Sequence, residues 1–154
     1  MGKDTRLSCQ RIEVVFTSGI TSYGVDVLSA GIIPTPGLAF LTKELKSDIG
    51  VMISASHNRA EENGIKFFSG SGYKLSKFEE ERLEEFIFSY PAAPDLSLYK
   101  CGFVSSIKDG QTRYIDFLKS LIPHLDLSGF KIIIDCAHGA VSDIAPVVFK
   151  ELGA

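Results

Sequence analysis

Gly50-Val51-Met52-Ile53-Ser54-Ala55-Ser56-His57-Asn58 is the stretch that decides how this chain reads. Its first half is a short, wholly apolar run, the pattern of a strand covered on both faces of a sheet. Its second half turns abruptly to small and polar residues. In parallel α/β sheets, ligands gather beyond the carboxyl ends of the strands, so this strand exit is the best-placed loop for a site. Ser56 offers a hydroxyl there. Asn58 and Arg59 flank it, Lys66 lies on the next apolar run, and Lys3 and Arg6 sit in the opening loop. A serine among cations suits phosphate chemistry, because a phosphoserine carries about −1.5 to −2 charges that need donors and cations around them.

Outward from this stretch, hydrophobic periods of two and 3.6 alternate along the chain. Upstream, Ile12, Val15, Phe16 and Ile20 share one helical face, with Ser8 as the expected N-cap. Val25 to Ala30 reads as a strand closed by Gly31. In Pro34-Thr35-Pro36, the threonine is expected to cap a helix whose first position is Pro36, and Leu38, Leu41 and Leu45 form its buried stripe. Downstream, Ile65 to Phe68 is a second apolar strand, and Ser69-Gly70-Ser71-Gly72 is a turn. Ser76-Lys77-Phe78-Glu79 is a capping box that opens a helix carrying Leu83, Phe86 and Ile87. Pro91, Pro94 and Gly102 then break the pattern. Tyr114, Phe117, Leu118, Leu121 and Ile122 make a further helical stripe, Ile132-Ile133-Ile134 a buried strand, and Ile144, Val148 and Leu152 a final helix.

This alternation predicts a layered α/β/α fold with a mostly parallel sheet. Residues 1–90 are expected to form one such domain, lacking its first strand because Lys3 to Arg6 reads as a loop that ought to follow one. A linker over 91–106 and an incomplete second α/β/α domain over 107–154 complete the expected organisation. The strand near Ile133 has no sheet of its own, so the chain is expected to stop inside that second domain.

Composition excludes several classes. Of 154 residues, 45% are apolar and 23% charged, as in soluble globular proteins. Sixteen Lys/Arg against nineteen Asp/Glu give a net charge of −3, which provides neither a nucleic-acid surface nor a polybasic membrane anchor. No apolar run approaches the ~18–20 residues that span a bilayer, and the first residues lack the apolar core of a signal peptide. Cys9, Cys101 and Cys136 form no C-x-x-C pair, which argues against a disulfide scaffold or zinc site and for reduced thiols in a cytoplasm. A serine hydrolase is disfavoured too. In an extended segment Ser56 and His57 would point in opposite directions, and there is no G-x-S-x-G elbow.

Gly2-Lys3-Asp4-Thr5-Arg6-Leu7-Ser8, Pro34-Thr35-Pro36, Val51 to Asn58 and Asn63-Gly64-Ile65-Lys66-Phe67-Phe68 occur in the order seen in the α-D-phosphohexomutases. Arg113-Tyr114-Ile115 and Asp135-Cys136-Ala137-His138-Gly139-Ala140 resemble the same family's entry into its second domain. The resemblance spans nearly the whole chain and corresponds to about the first third of such an enzyme. It implies an isomerase with a phosphoserine, here Ser56, that donates its phosphoryl group to a hexose or hexosamine phosphate and recovers one from the bisphosphate so formed. The similarity is greatest to members that interconvert glucosamine 6-phosphate and glucosamine 1-phosphate for cell-wall precursors. Phosphoglucose and phosphomannose activity, or a non-catalytic truncated module, are the alternatives.

By the same resemblance, Arg6 and Lys66 match basic residues near the transfer, and His57 and Asn58 shape the loop. Mg²⁺ is the implied cofactor, with the phosphate on Ser56 as one ligand. No D-x-D occurs in the chain, so Ser56 has no carboxylate cage for the metal here. Arg59 stands where the family usually has proline, Cys9 where it has glycine and His138 where it has asparagine. Self-association, or association with the family's remaining segments, is left open.

Overall fold

The computed structural model describes residues 1–89 and 100–154. In chain order its elements are β1 (Gly2–Lys3), α1 (Leu7–Ser22), β2 (Val27–Ser29), β3 (Gly31–Ile32), α2 (Thr35–Glu44), β4 (Ile49–Ile53), β5 (Ile65–Ser69), α3 (Lys77–Ser89), β6 (Val104–Ser106), α4 (Gly110–Ser120) and α5 (Ala145–Glu151). The fold is mixed α/β with a mostly parallel sheet, as the alternating periods predict.

The main sheet has the order β3-β1-β4-β5, with β1 parallel to both β3 and β4, and β5 antiparallel to β4. The opening residues therefore do not simply follow a strand. Gly2 and Lys3 pair with Gly31 and Ile32 on one side and with Met52 and Ile53 on the other. The segment read as one strand over Val25 to Ala30 is shorter, with β2 covering only Val27–Ser29. β2 pairs with β6 in a separate parallel sheet, and only β3, beyond it, joins the main one. β6 itself falls inside the stretch read as a linker, whose residues 91–99 lie outside those described.

β4 is buried from Gly50 through Ile53, and Leu38 and Leu41 of α2 close over it with Ile33, Met52 and Phe68. Helix and strand approach so closely that only a glycine fits at position 50. A Cβ there would stand 2.2 Å from Thr42 Oγ1. On the outer side of α2, Phe40 stacks on Phe117 of α4 at 4.3 Å between ring centroids, and Tyr114, Ile115 and Ile144 form a second buried cluster beside it.

Three local expectations need correction. Ser8 is not the N-cap of α1, since Leu7 is already helical and Arg6 holds the cap position without a side-chain bond. The helix at Pro34-Thr35-Pro36 begins one residue early, with Pro34 at the cap. Ile132, Ile133 and Ile134 form no strand. Phe130 to Asp135 are all exposed and Ile133 is 100% exposed, because none of the described residues offers that segment a pairing edge. On α3, Leu83 is only half-buried, and Phe86 and Ile87 are exposed. The capping box that opens α3 does form: Glu79 Oε2 accepts from the Ser76 backbone N–H at 2.8 Å, and Ser76 Oγ accepts from the Glu79 N–H at 3.3 Å.

Candidate active site

β4 ends at Ile53 and the chain turns at once. Ser54 is buried, and its Oγ accepts a hydrogen bond from the Ser56 N–H at 3.0 Å. Ser56 is exposed with φ 57°, in the left-handed region that costs an L-residue about 1–2 kcal/mol. The Asn58 N–H closes the turn on Ala55 O at 3.1 Å, and Asn58 Nδ2 donates to Glu62 Oε2 at 2.7 Å. The extended backbone assumed when weighing Ser56 against His57 is thus a tight turn. The two side chains form no hydrogen bond with each other among the described residues.

This turn opens into a cleft of about 710 Å³. Asp4 to Leu7 line one side, Pro34 and Thr35 at the start of α2 another, and the loop Ala137 to Val141 faces them. Ala137 and His138 are both left-handed, at φ 47° and 53°. Thr5 Oγ1 donates to His138 O at 2.9 Å, which ties this loop to the serine side of the cleft.

Arg6 is the most committed side chain of the site. Its Nη2 donates to Ser56 O at 2.8 Å and Asn58 O at 3.0 Å. Its Nη1 donates to Arg59 O at 2.6 Å and Glu62 O at 3.2 Å. Its Nε donates to Asp4 Oδ2 at 3.1 Å. A guanidinium has five N–H donors, and all five are engaged. Asp4 Oδ1 in turn accepts from the Arg6 backbone N–H at 3.0 Å and from Cys9 Sγ at 3.0 Å. Burial pushes the Asp4 carboxyl up, but hydrogen bonds from Cys9, Ser54 and Arg6 outweigh it and hold the group below the usual carboxylate range. Burial chiefly, reinforced by Asp4, pushes the Cys9 thiol up. Asn63 completes the knot, its Nδ2 donating to Ser8 Oγ at 2.8 Å and to Cys9 Sγ at 3.2 Å.

The structure therefore gathers Ser56, His57, Asn58 and Arg6 at one cleft. It does not bring Lys66 into the lining. Lys66 is half-buried on β5 opposite Met52, on the sheet face that packs against α2. Lys3, grouped by sequence with the cations around the serine, is ion-paired with Glu13 of α1 instead. Sequence reasoning gave no part to Asp4, Ser54 or Asn63. An Asp two residues before an Arg, at the foot of a helix, and an Asn before a Gly are the signals that were there to use.

A divalent cation does not fit the residues present. Ser56 brings one oxygen, and both oxygens of Asp4, the carboxylate lining the cleft, are already engaged. Among the described residues no group of three or more His, Cys, Asp or Glu could hold a metal.

Comparison with known proteins identifies the family. Residues 1–93 match the family described as phosphoglucomutase/phosphomannomutase, alpha/beta/alpha domain I. The phosphoglucosamine mutase of Citrifermentans bemidjiense is 50% identical over 161 aligned residues, covering 100% of this chain and 34% of that protein. The phosphoglucosamine mutase of Thermoanaerobacter sp. is 50% identical over 154 residues, again with 34% of its length covered. The chain thus spans about a third of the length of the curated relatives it matches. Among solved structures, a phosphoglucomutase/phosphomannomutase family protein from Burkholderia thailandensis superposes with TM-score 0.76 at 22% identity, over 98% of this chain and 33% of the other. With more than half of its residues matched by that family model and its fold shared with a solved structure of the same class, this chain belongs to the phosphoglucomutase/phosphomannomutase family.

Proposed function

We propose that this chain carries the phosphoserine of a phosphohexomutase, with Ser56 holding and passing the phosphoryl group, and that the reaction is the interconversion of glucosamine 6-phosphate and glucosamine 1-phosphate. One observation carries the reading: Ser56 is the exposed hydroxyl at the end of a buried strand, held in a left-handed turn that opens into the cleft. Non-glycine residues keep such a conformation only where their surroundings over-determine it, which is a common feature of sites that hold a reacting group in place. The glucosamine preference rests on the two relatives named above.

The chemistry asks for little covalent help. A phosphoryl group on Ser56 would leave its oxygen as the sugar hydroxyl attacks in line, and the protein's task is to fix the geometry and balance charge. His57 and Asn58 flank the serine, with Asn58 bracing the turn through Ala55 and Glu62. Lys66, which makes no ion pair among the described residues, is the cation we assign to approaching phosphate from the neighbouring strand. The Mg²⁺ implied by resemblance needs further ligands than these, so the chain alone is not expected to turn substrate over.

The test is single-turnover labelling. The chain is incubated with glucosamine 1,6-bisphosphate and the product mapped by peptide mass. Phosphate on the peptide carrying Ser56, absent from Ser56→Ala, is the expected result. Phosphate settled on another residue, or none on a folded chain, overturns the reading.

A further inference from the structure

We infer that Arg6 is the positioning residue of the serine loop: its guanidinium locks residues 56–62 into the shape that presents Ser56, and it is not the counter-charge to the transferred phosphate. The inference rests on the Ser56 reading for what the loop presents, and on geometry alone for the lock.

Four loop carbonyls, those of Ser56, Asn58, Arg59 and Glu62, converge on one guanidinium at 2.6–3.2 Å. Carbonyls that point inward to a shared cation must turn their peptide planes together. Ser56 answers that demand with φ 57°. Its amide is caught separately by Ser54 Oγ, so both ends of the Ser56 peptide frame are fixed while its side chain is left free to the cleft. The lock is itself anchored. Asp4 takes the Nε and the backbone N–H of Arg6, and the Arg6 carbonyl accepts the first helical N–H of α1, from Cys9, at 3.0 Å. The Arg6 side chain is only 10% exposed. With five donors spent on these partners, none is left to bind a phosphate oxygen.

Lysine tells the two roles apart. It keeps the charge but brings three tetrahedral donors where the loop and Asp4 together take a planar fork of five. A counter-charge would survive Arg6→Lys, and a lock would not. Loop closure is read by trypsin, because Arg59 lies within the locked segment and is exposed. Presentation is read by the rate of phosphate uptake on Ser56 from glucosamine 1,6-bisphosphate.

For Arg6→Lys and Arg6→Ala alike, we expect cleavage after Arg59 to speed up at least about tenfold, beyond what any fall in the thermal midpoint accounts for, since cleavage follows the population of the opened loop. Phosphate uptake should fall about a hundredfold, the scale of an ångström's misplacement. Methylguanidinium at millimolar concentration should restore much of both in Arg6→Ala and nothing in Arg6→Lys. Should the Arg6 variants fail to fold, Asp4→Asn, which removes the anchor and keeps Arg6, must still loosen the loop. Arg6→Lys with wild-type protection and wild-type uptake overturns the lock while leaving Ser56 in its role. A wild-type chain that takes no phosphate overturns the Ser56 reading, and the protection of Arg59 still decides the lock.

Discussion

Replacing Ser56 by glycine should make the protein more stable and functionless at once, and the gain can be worked from one dihedral angle. At φ 57° a residue with a Cβ bears about 1–2 kcal/mol of strain that glycine does not. Glycine gives back about 0.5–1 kcal/mol through the greater freedom of its unfolded chain. The net gain lies between about 0 and 1.5 kcal/mol, centred on about 0.8 kcal/mol, provided the loss of the hydroxyl is cancelled by using Ser56→Ala as the reference. Both variants keep the backbone contacts that define the turn, namely Arg6 to Ser56 O and Ser56 N–H to Ser54 Oγ. Urea titrations of the two, fitted with a common slope, should therefore place Ser56→Gly above Ser56→Ala, with a thermal midpoint about 1–4 °C higher. Neither should take up phosphate. If Ser56→Gly is no more stable than Ser56→Ala, the turn is not strained, and the claim that the fold holds this serine against its preference fails.

Other expectations follow from single contacts. Gly50→Ala would drive a methyl group to 2.2 Å from Thr42 Oγ1, so α2 must shift on β4 at a cost of about 1–3 kcal/mol, and Thr42→Ala in the same chain should recover part of it in denaturant midpoint. Asp4 has its folded-state pKa lowered, so it adds stability above the ordinary carboxylate range, and this is lost as pH falls through the lowered value. Asp4→Asn should flatten that acid limb in urea midpoints taken from about pH 6 down to 2, and an unchanged slope would refute the assignment. Cys101 is exposed, whereas Cys9 is buried with its thiol pKa raised. A thiol reagent at neutral pH should label Cys101 quickly and Cys9 only on unfolding, and rapid labelling of Cys9 in the folded chain would contradict the packing beneath the site.

Much of the fold was legible in the sequence because it rests on short-range patterns. The apolar run at Gly50 to Ile53, the Leu38 and Leu41 stripe and the Ser76–Glu79 box each carry their reason within a few residues, and each is realised. Ser56 was legible for the same reason, as a hydroxyl at the exit of a buried strand. Ile132 to Ile134 misled because an apolar run states only a need to be covered. Whether a strand forms depends on a partner edge, and none of the described residues supplies one.

The sequence by itself determined which residues are apolar, where turns must fall and which side chains can carry charge. Tertiary structure alone decided what those charges do. Lys3, Arg6 and Lys66 are equal as cations on a line of text. Folding pairs Lys3 with Glu13, spends four donors of Arg6 on a loop 50 to 56 residues away and the fifth on Asp4, and leaves Lys66 one strand outside the cleft. The physical reason is that a hydrogen bond is fixed by distance and direction in space, and neither is encoded by the spacing of residues that meet only when distant segments pack.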